Sequence, residues 1–223
     1  MKACRLVPVV SLALLWPASP LAQDPVQVDP THYRTVLDNA SVRVLRGFLP
    51  AGAKSPVHQH PDSIVIALQD VRARFTLPDG KTHDQRISAE SAYYSPAGTH
   101  STTNTASAGL NVLIVEFKGP KPGTAPLPAT RTGLEMKVLT EGPRAMAYRT
   151  TADPSFNEDP GTKHEFDQLV VGLRPTQLTL AIQGKPARTT WARGDVVFVP
   201  RNQEHESRNT GGKPADFIIV AIR

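Results

Sequence analysis

Two histidines one residue apart, His58-Gln59-His60, are the groups in this chain best placed to do chemistry. Residues i and i+2 of a β-strand share a face, so two imidazoles there stand side by side and can chelate one metal ion. A third histidine, His100, follows a glycine-containing turn, Pro96-Ala97-Gly98-Thr99. Three neutral imidazoles with open coordination positions suit Zn, Fe or Cu. A His-x-His pair can be a surface accident, and a single histidine is more often structural than a ligand. Three in matching places shift the balance to metal binding. His32 and His83 fit no such pattern and are expected to face solvent, and Asn104 is expected to support a turn or the barrel.

The elements that must position these residues are short strands. Twenty-one prolines and fifteen glycines are many turn-formers for 223 residues, which favours a β-rich fold over a helix bundle. Runs rich in branched residues predict strands over Val42–Phe48, Ile64–Leu68, Val71–Leu77, Val112–Phe117, Leu178–Ile182 and Phe217–Ile222. Pro78-Asp79-Gly80 marks a turn between strands. Short strands at regular spacing indicate a sandwich or barrel.

The first residues read as a leader. Lys2 and Arg5 give a positive start, Leu6 to Trp16 is apolar, and Pro17 to Ala22 is a small-residue exit. A signal peptide over residues 1–22 is expected, cleaved after Ala22, with the mature chain periplasmic or secreted. The apolar run is short for a permanent anchor, so no stable membrane anchor is expected. The one cysteine, Cys4, lies in this segment. The mature chain then has no disulfide and no thiolate ligand, leaving His, carboxylate or amide groups to hold any metal. The formal charge of +5 falls to +3 once Lys2 and Arg5 leave. The remaining basic residues are scattered, so no nucleic-acid partner is expected.

The chain repeats itself. Tyr94 to Asn104 reads like Phe198 to Asn209, each with a proline turn, a histidine and an asparagine four residues on. His100 and His205 differ in number by 105, as do Asn104 and Asn209. Upstream, Ser63–Leu68 resembles Gln168–Leu173, and Thr35–Arg46 resembles Lys137–Arg149. A duplicated unit of roughly 100 residues follows. Between the copies, a Pro- and Gly-rich stretch can hold neither a helix nor a central strand. The boundaries expected are an N-terminal barrel over 30–118, a linker over 119–133 and a C-terminal barrel over 134–223.

Gly52 with His58-Gln59-His60 resembles the first motif of the cupin superfamily, a glycine, five residues, then His-x-His. Pro96 to Asn104 resembles the second, a Pro-x-Gly turn followed by His-x-x-x-Asn. The resemblance covers nearly all of the mature chain. It implies an all-β fold of two tandem cupin jelly-roll (double-stranded β-helix) barrels, a bicupin. It also implies a divalent transition metal (Fe, Mn, Zn, Ni or Cu) held inside the first barrel by His58, His60 and His100. The family's motif adds a glutamate soon after the second histidine, and here the register places Ser63 there. Asp62 and Glu116 are the alternative carboxylates.

The second copy departs further. Asp159-Pro160-Gly161-Thr162-Lys163-His164-Glu165-Phe166-Asp167-Gln168 stands where motif one should be. His164, or Glu165 with a one-residue shift, takes the place of His60, and Gln168 stands opposite Ser63. His164, Gln168 and His205 make a weaker second site at most, and a purely structural role for this copy is favoured. The family spans several chemistries and some binding and storage proteins. The expected function is therefore a metal-dependent, dioxygenase-like oxidoreductase acting on a small oxygen-rich molecule, with Tyr93, Tyr94, Thr99 or Ser101 lining its pocket. The alternatives are a non-catalytic small-ligand-binding cupin and a structural cupin. The partner expected is a small molecule, and a homodimer is open.

Overall fold

The computed structural model describes residues 24–119 and 130–223. The leader expected over 1–22 and most of the linker expected over 119–133 lie outside the described residues. The first half runs as β1 (Tyr33–Asp38), β2 (Val42–Leu49), β3 (His58–His60), β4 (Ser63–Ala67), β5 (Val71–Thr76), β6 (Thr82–Ile87), β7 (Ala92–Ser95), β8 (Gly98–Asn104) and β9 (Leu110–Phe117). The second half follows as β10 (Leu134–Glu141), β11 (Ala145–Ala152), β12 (Asp167–Gly172), β13 (Thr176–Ile182), β14 (Lys185–Trp191), β15 (Val196–Val199), β16 (His205–Asn209) and β17 (Ala215–Ile222). All six predicted strands are present, with ends moved by one or two residues. One short helix, α1 (Pro25–Val28), starts at Asp24, whose carboxylate accepts the Val26 N–H. Among the described residues no helix is long and apolar enough to cross a membrane.

Each half is a jelly roll made of two facing sheets. In the first half a five-stranded sheet, ordered β1-β2-β9-β4-β7, faces a four-stranded sheet, β3-β8-β5-β6. The second half repeats the larger sheet as β10-β11-β17-β12-β15 and the smaller as β14-β13-β16. Even an irregularity is duplicated. The β1–β2 register slips between Thr35 and Leu37, and the β10–β11 register between Val138 and Thr140. The smaller sheets differ. Strand β3 has no counterpart in the second half, where a single isolated bridge, Thr162 with His205, stands in its place, while the bridge of Asn157 with Arg208 repeats that of Lys54 with Thr103.

The inner strands of the larger sheets are buried on both faces, which explains their near-continuous apolar runs. Strand alternation sends Val65 and Ala67 of β4 into the lumen of the first barrel, with Val112 and Ile114 of β9. Ile64, Ile66, Leu113 and Val115 point the other way. They meet Leu169, Val171, Ile218 and Val220 of the second half in one shared core. The halves are therefore joined by hydrophobic burial, the main favourable term in folding. Polar ties flank it. Ser41 donates to Asp167 at 2.8 Å, Arg193 to the Leu68 carbonyl at 2.6 Å, and Arg174 pairs with Glu90 at 3.1 Å.

The asparagine expected to support the barrel does so in both copies. Asn104 Nδ2 donates to the carbonyls of Leu49, Pro50 and Ala108, and its Oδ1 accepts the Ala106 N–H. Asn209 repeats the pattern with Ala152, Asp153, Lys213 and Gly211. Each side chain ties the end of a lumen strand to the loop beside it, satisfying backbone groups that burial would otherwise leave unpaired.

Candidate metal centre

Gly52 turns the chain with a φ of 73°, a left-handed conformation open to glycine without strain. The chain then enters β3, where His58 and His60 are buried and Gln59 between them is exposed. Strand β8 pairs with β3 and sets His100 directly opposite His58. The His58 ring centroid is 4.9 Å from that of His60 and 4.9 Å from that of His100. One nitrogen from each of the three rings lies within 4.8 Å of the others. The structure thus brings together the three histidines singled out from the sequence.

Two of the rings are aimed by the groups behind them. His58 Nδ1–H donates to the Pro56 carbonyl at 2.8 Å, and His60 Nδ1–H to Glu116 Oε1 at 2.7 Å. With Nδ1 so engaged, Nε2 carries the lone pair of each ring. His58 Nε2 is buried and has no hydrogen-bond partner, an arrangement that costs about 1–3 kcal/mol unless something else binds there. A metal ion accepts such a lone pair, so the residues fit one. Burial holds His58 down to about 4 and His100 to about 3, well below ordinary imidazoles. Both rings are then neutral and free to ligate at neutral pH.

The three carboxylate questions have separate answers. Ser63 lines the lumen with His60 and His100, at the place the register assigned to it. Asp62 is not a fourth ligand: its Oδ1 accepts the Ala97 N–H at 2.9 Å, because the chain changes direction between β3 and β4 and breaks the parity with His60. Glu116 is not one either. Its two oxygens are taken by His60 and by Arg43 Nε at 2.6 Å, so it orients a ring instead of touching the centre. Among the described residues no carboxylate lines this lumen.

Of the four pocket residues expected around the site, only Tyr93 lines the lumen. Neighbouring strand residues face opposite ways. Tyr94 accordingly packs into the shared core between the halves, and Thr99 and Ser101 flank His100 on the other face of β8. Sequence reasoning missed Tyr33. It comes from β1, its ring lies 5.0 Å from His58, and its hydroxyl bonds with Ser55 and Thr102. Burial pushes its phenol up to about 12. His83 is exposed, as expected, yet it sits at the lumen and stacks on Phe75, whose ring meets His100 edge-on at 5.0 Å. His32 is half-buried and bonds Asp29 at 2.8 Å, contrary to the expectation of a solvent-facing ring.

The second barrel has a cluster of its own. His164 and His205 approach to 5.0 Å between centroids, and each offers a nitrogen within 4.8 Å of the other and of a Glu158 carboxylate oxygen. Gln168 lines the same cavity, and Glu158 is a donor there that sequence reasoning did not single out. Glu158 pairs with Arg131, which also donates to Thr162 Oγ1 at 3.2 Å. Burial raises the Glu158 carboxyl, and it holds His164 down to about 4.

Comparison with known proteins bears on the fold. No family model matches this chain, and no curated protein matches its sequence. Solved structures do match. AerE from Microcystis aeruginosa superposes with a TM-score of 0.70 at 14% identity, over 91% of this chain and 97% of that one. The cupin 2 conserved barrel domain protein from Leptotrichia buccalis gives a TM-score of 0.57 at 12% identity, over 86% and 88%. The salicylate 1,2-dioxygenase from Pseudoaminobacter salicylatoxidans, in its adducts with gentisate, gives 0.62 at 10% identity, over 85% and 73%.

Proposed function

From the premise that this chain has a two-barrel cupin fold, we propose that it is an exported bicupin binding a divalent transition metal through His58, His60 and His100. The observation that carries the reading is the set of three inward-facing imidazoles with the buried, unpartnered His58 Nε2 among them. The bound ion would supply Lewis acidity and open positions for a small oxygen-rich molecule and for O₂ or water. The chain's own residues do the rest. Glu116 and the Pro56 carbonyl hold two rings in the ligating tautomer. Val65, Ile87, Val112 and Ile114 keep the lumen apolar, and Tyr93 and Gln85 offer polar contacts to a ligand. A dioxygenase-like oxidation of a hydroxylated aromatic acid is the activity proposed, supported by the shared fold with a dioxygenase described with gentisate. The N-terminal charge and hydropathy pattern supports export.

A second reading has its own support. With Ser63 in the acid's place and no carboxylate lining the lumen among the described residues, the first barrel has no evident general base. A protein that binds a small ligand at the metal without turning it over fits that lumen as well. Metal content separates the readings first. In the purified protein this site is expected to contribute about one equivalent, which His58→Ala/His60→Ala loses whatever the rest of the chain binds, and an unchanged content in that variant would sink the site. Oxygen uptake with salicylate, gentisate, simple phenols, diketones and sugars then decides. Consumption supports the oxidoreductase, and ligand-induced spectral change without consumption supports the binding protein.

A further inference from the structure

We propose that the second barrel holds a divalent transition-metal ion of its own on Glu158, His164 and His205, through a carboxylate recruited from a position where the first barrel has a serine. Backbone pairing identifies that position. Ser55 N–H donates to the Thr102 carbonyl at 2.8 Å, and Glu158 N–H donates to the Ser207 carbonyl at 2.8 Å. Thr102 and Ser207 each follow the barrel's motif-two histidine by two residues, so Glu158 occupies the place of Ser55. Thr162 bridges His205 as His58 pairs with His100, so a threonine has replaced that ligand. His164 answers to His60. The second barrel has lost one imidazole and gained one carboxylate on the neighbouring stretch of chain, which is a rebuilt donor set and not an eroded one.

The surroundings favour an ion. His205 Nδ1–H donates to the Gln203 carbonyl at 3.2 Å, two residues back, as His58 does to Pro56. That fixes the same tautomer and leaves Nε2 as the ligating atom. The Glu158 side chain is only 9% exposed, in a cavity walled by Tyr148, Val170 and Leu180. A carboxylate charge buried there is stabilised by a cation beside it. Arg131 supplies one charge from the rim through Oε1, and Ser207 also hydrogen-bonds the carboxylate, so an ion would share its oxygens with these partners. The cavity leaves about 60 Å³ for the centres of water-sized molecules, against about 150 Å³ in the first barrel. It suits an ion with a few waters better than an organic ligand. Two neutral imidazoles and one carboxylate are a ligand set used for Fe(II) and for Zn(II).

The test is a titration of the metal-free full chain with Co(II), followed by its visible spectrum and by calorimetry. Two equivalents are expected in the unaltered protein. His58→Ala/His60→Ala should keep one, with a spectrum differing from that of the equivalent it loses. Adding Glu158→Gln or His205→Ala to that background should release the remaining ion. Glu158→Gln preserves shape and a hydrogen-bond acceptor for Arg131, and circular dichroism of each metal-free variant confirms folding. Loss of all binding in His58→Ala/His60→Ala with the fold intact overturns this proposal and leaves the first site standing. One equivalent that survives there and disappears with Glu158→Gln upholds this proposal even if the first site fails. Two equivalents retained by Glu158→Gln in an otherwise unaltered chain also overturn it.

Discussion

The two barrels share their larger sheets and their asparagine braces, but the segment ahead of each lumen differs. In the first barrel that segment is a true strand, β3, carrying two histidines on one face. In the second it is a loop with one isolated bridge, Thr162 to His205, in the strand's place, and it carries one histidine and a glutamate. The inner strands of those sheets cannot drift because both their faces are buried, and a changed residue there would open a cavity or strand a polar group. The lumen segment packs on one side only, so it can exchange ligands while the barrel stands. The centre also differs in how its carboxylate is used. Glu116 stands behind His60 and aims it, whereas Glu158 lies among the donors themselves.

That contrast can be broken or sharpened by substitution, beginning with the largest expected difference between the halves. Glu116→Leu removes the acceptor that orients His60. It is expected to weaken metal binding in the first barrel by about 10–100-fold while leaving the second barrel's cluster unchanged, as read by competition with a chelator of known affinity. Equal weakening in both barrels would show that Glu116 acts through global stability. Ser63→Glu restores a negative charge to the first lumen and is expected to tighten that site on the order of tenfold or more, in the same assay. No tightening would mean that the β4 side chain does not reach the ion.

The asparagine braces should show a difference near zero. Asn104→Ala and Asn209→Ala each leave several buried backbone groups unpaired and are expected to cost about 1–3 kcal/mol, measured by urea unfolding of the metal-free protein. A large cost in one barrel alone would break the symmetry of the scaffold. The smallest effect is on pH dependence. His58, His100 and His164 are held below the ordinary imidazole value of 6.5, so the unfolded chain binds protons that the folded chain refuses. The metal-free protein should be most stable above about pH 6.5 and lose stability as the pH falls toward 4. Thermal melts across that range should show a flatter slope for His164→Phe, and a still flatter one for His58→Phe/His100→Phe.

Much of the fold was legible in the chain itself. The 105-residue offset between His100 and His205 exposed the duplication, and the branched runs marked six strands within two residues of their ends. Spacing also brought out His58, His60 and His100, because parity on a strand is a local property that survives without knowledge of partners. The same parity, read without the sheet, misdirected the assignment of Tyr94 and Ser101 to the pocket. They alternate with Tyr93 and His100, and only the position of the facing sheet decides which of two neighbours looks inward.

What the sequence by itself determined is the repeat, the motif spacing, the three histidines and the serine in the acid's place, all of which depend on short-range order along the chain. Only the tertiary structure decided that Glu116 braces His60, that Tyr33 packs on His58, and that Glu158 joins His164 and His205. Glu116 is 56 residues from His60, and Glu158 lies before the stretch that reads as the second copy's motif-one histidine. Such contacts arise from strand pairing across the barrel, where hydrogen-bond register and side-chain burial bring together residues that no spacing rule connects. The three-histidine pattern could be read from the chain, but the groups that aim it, and the separate cluster in the other barrel, became visible only when the sheets closed around them.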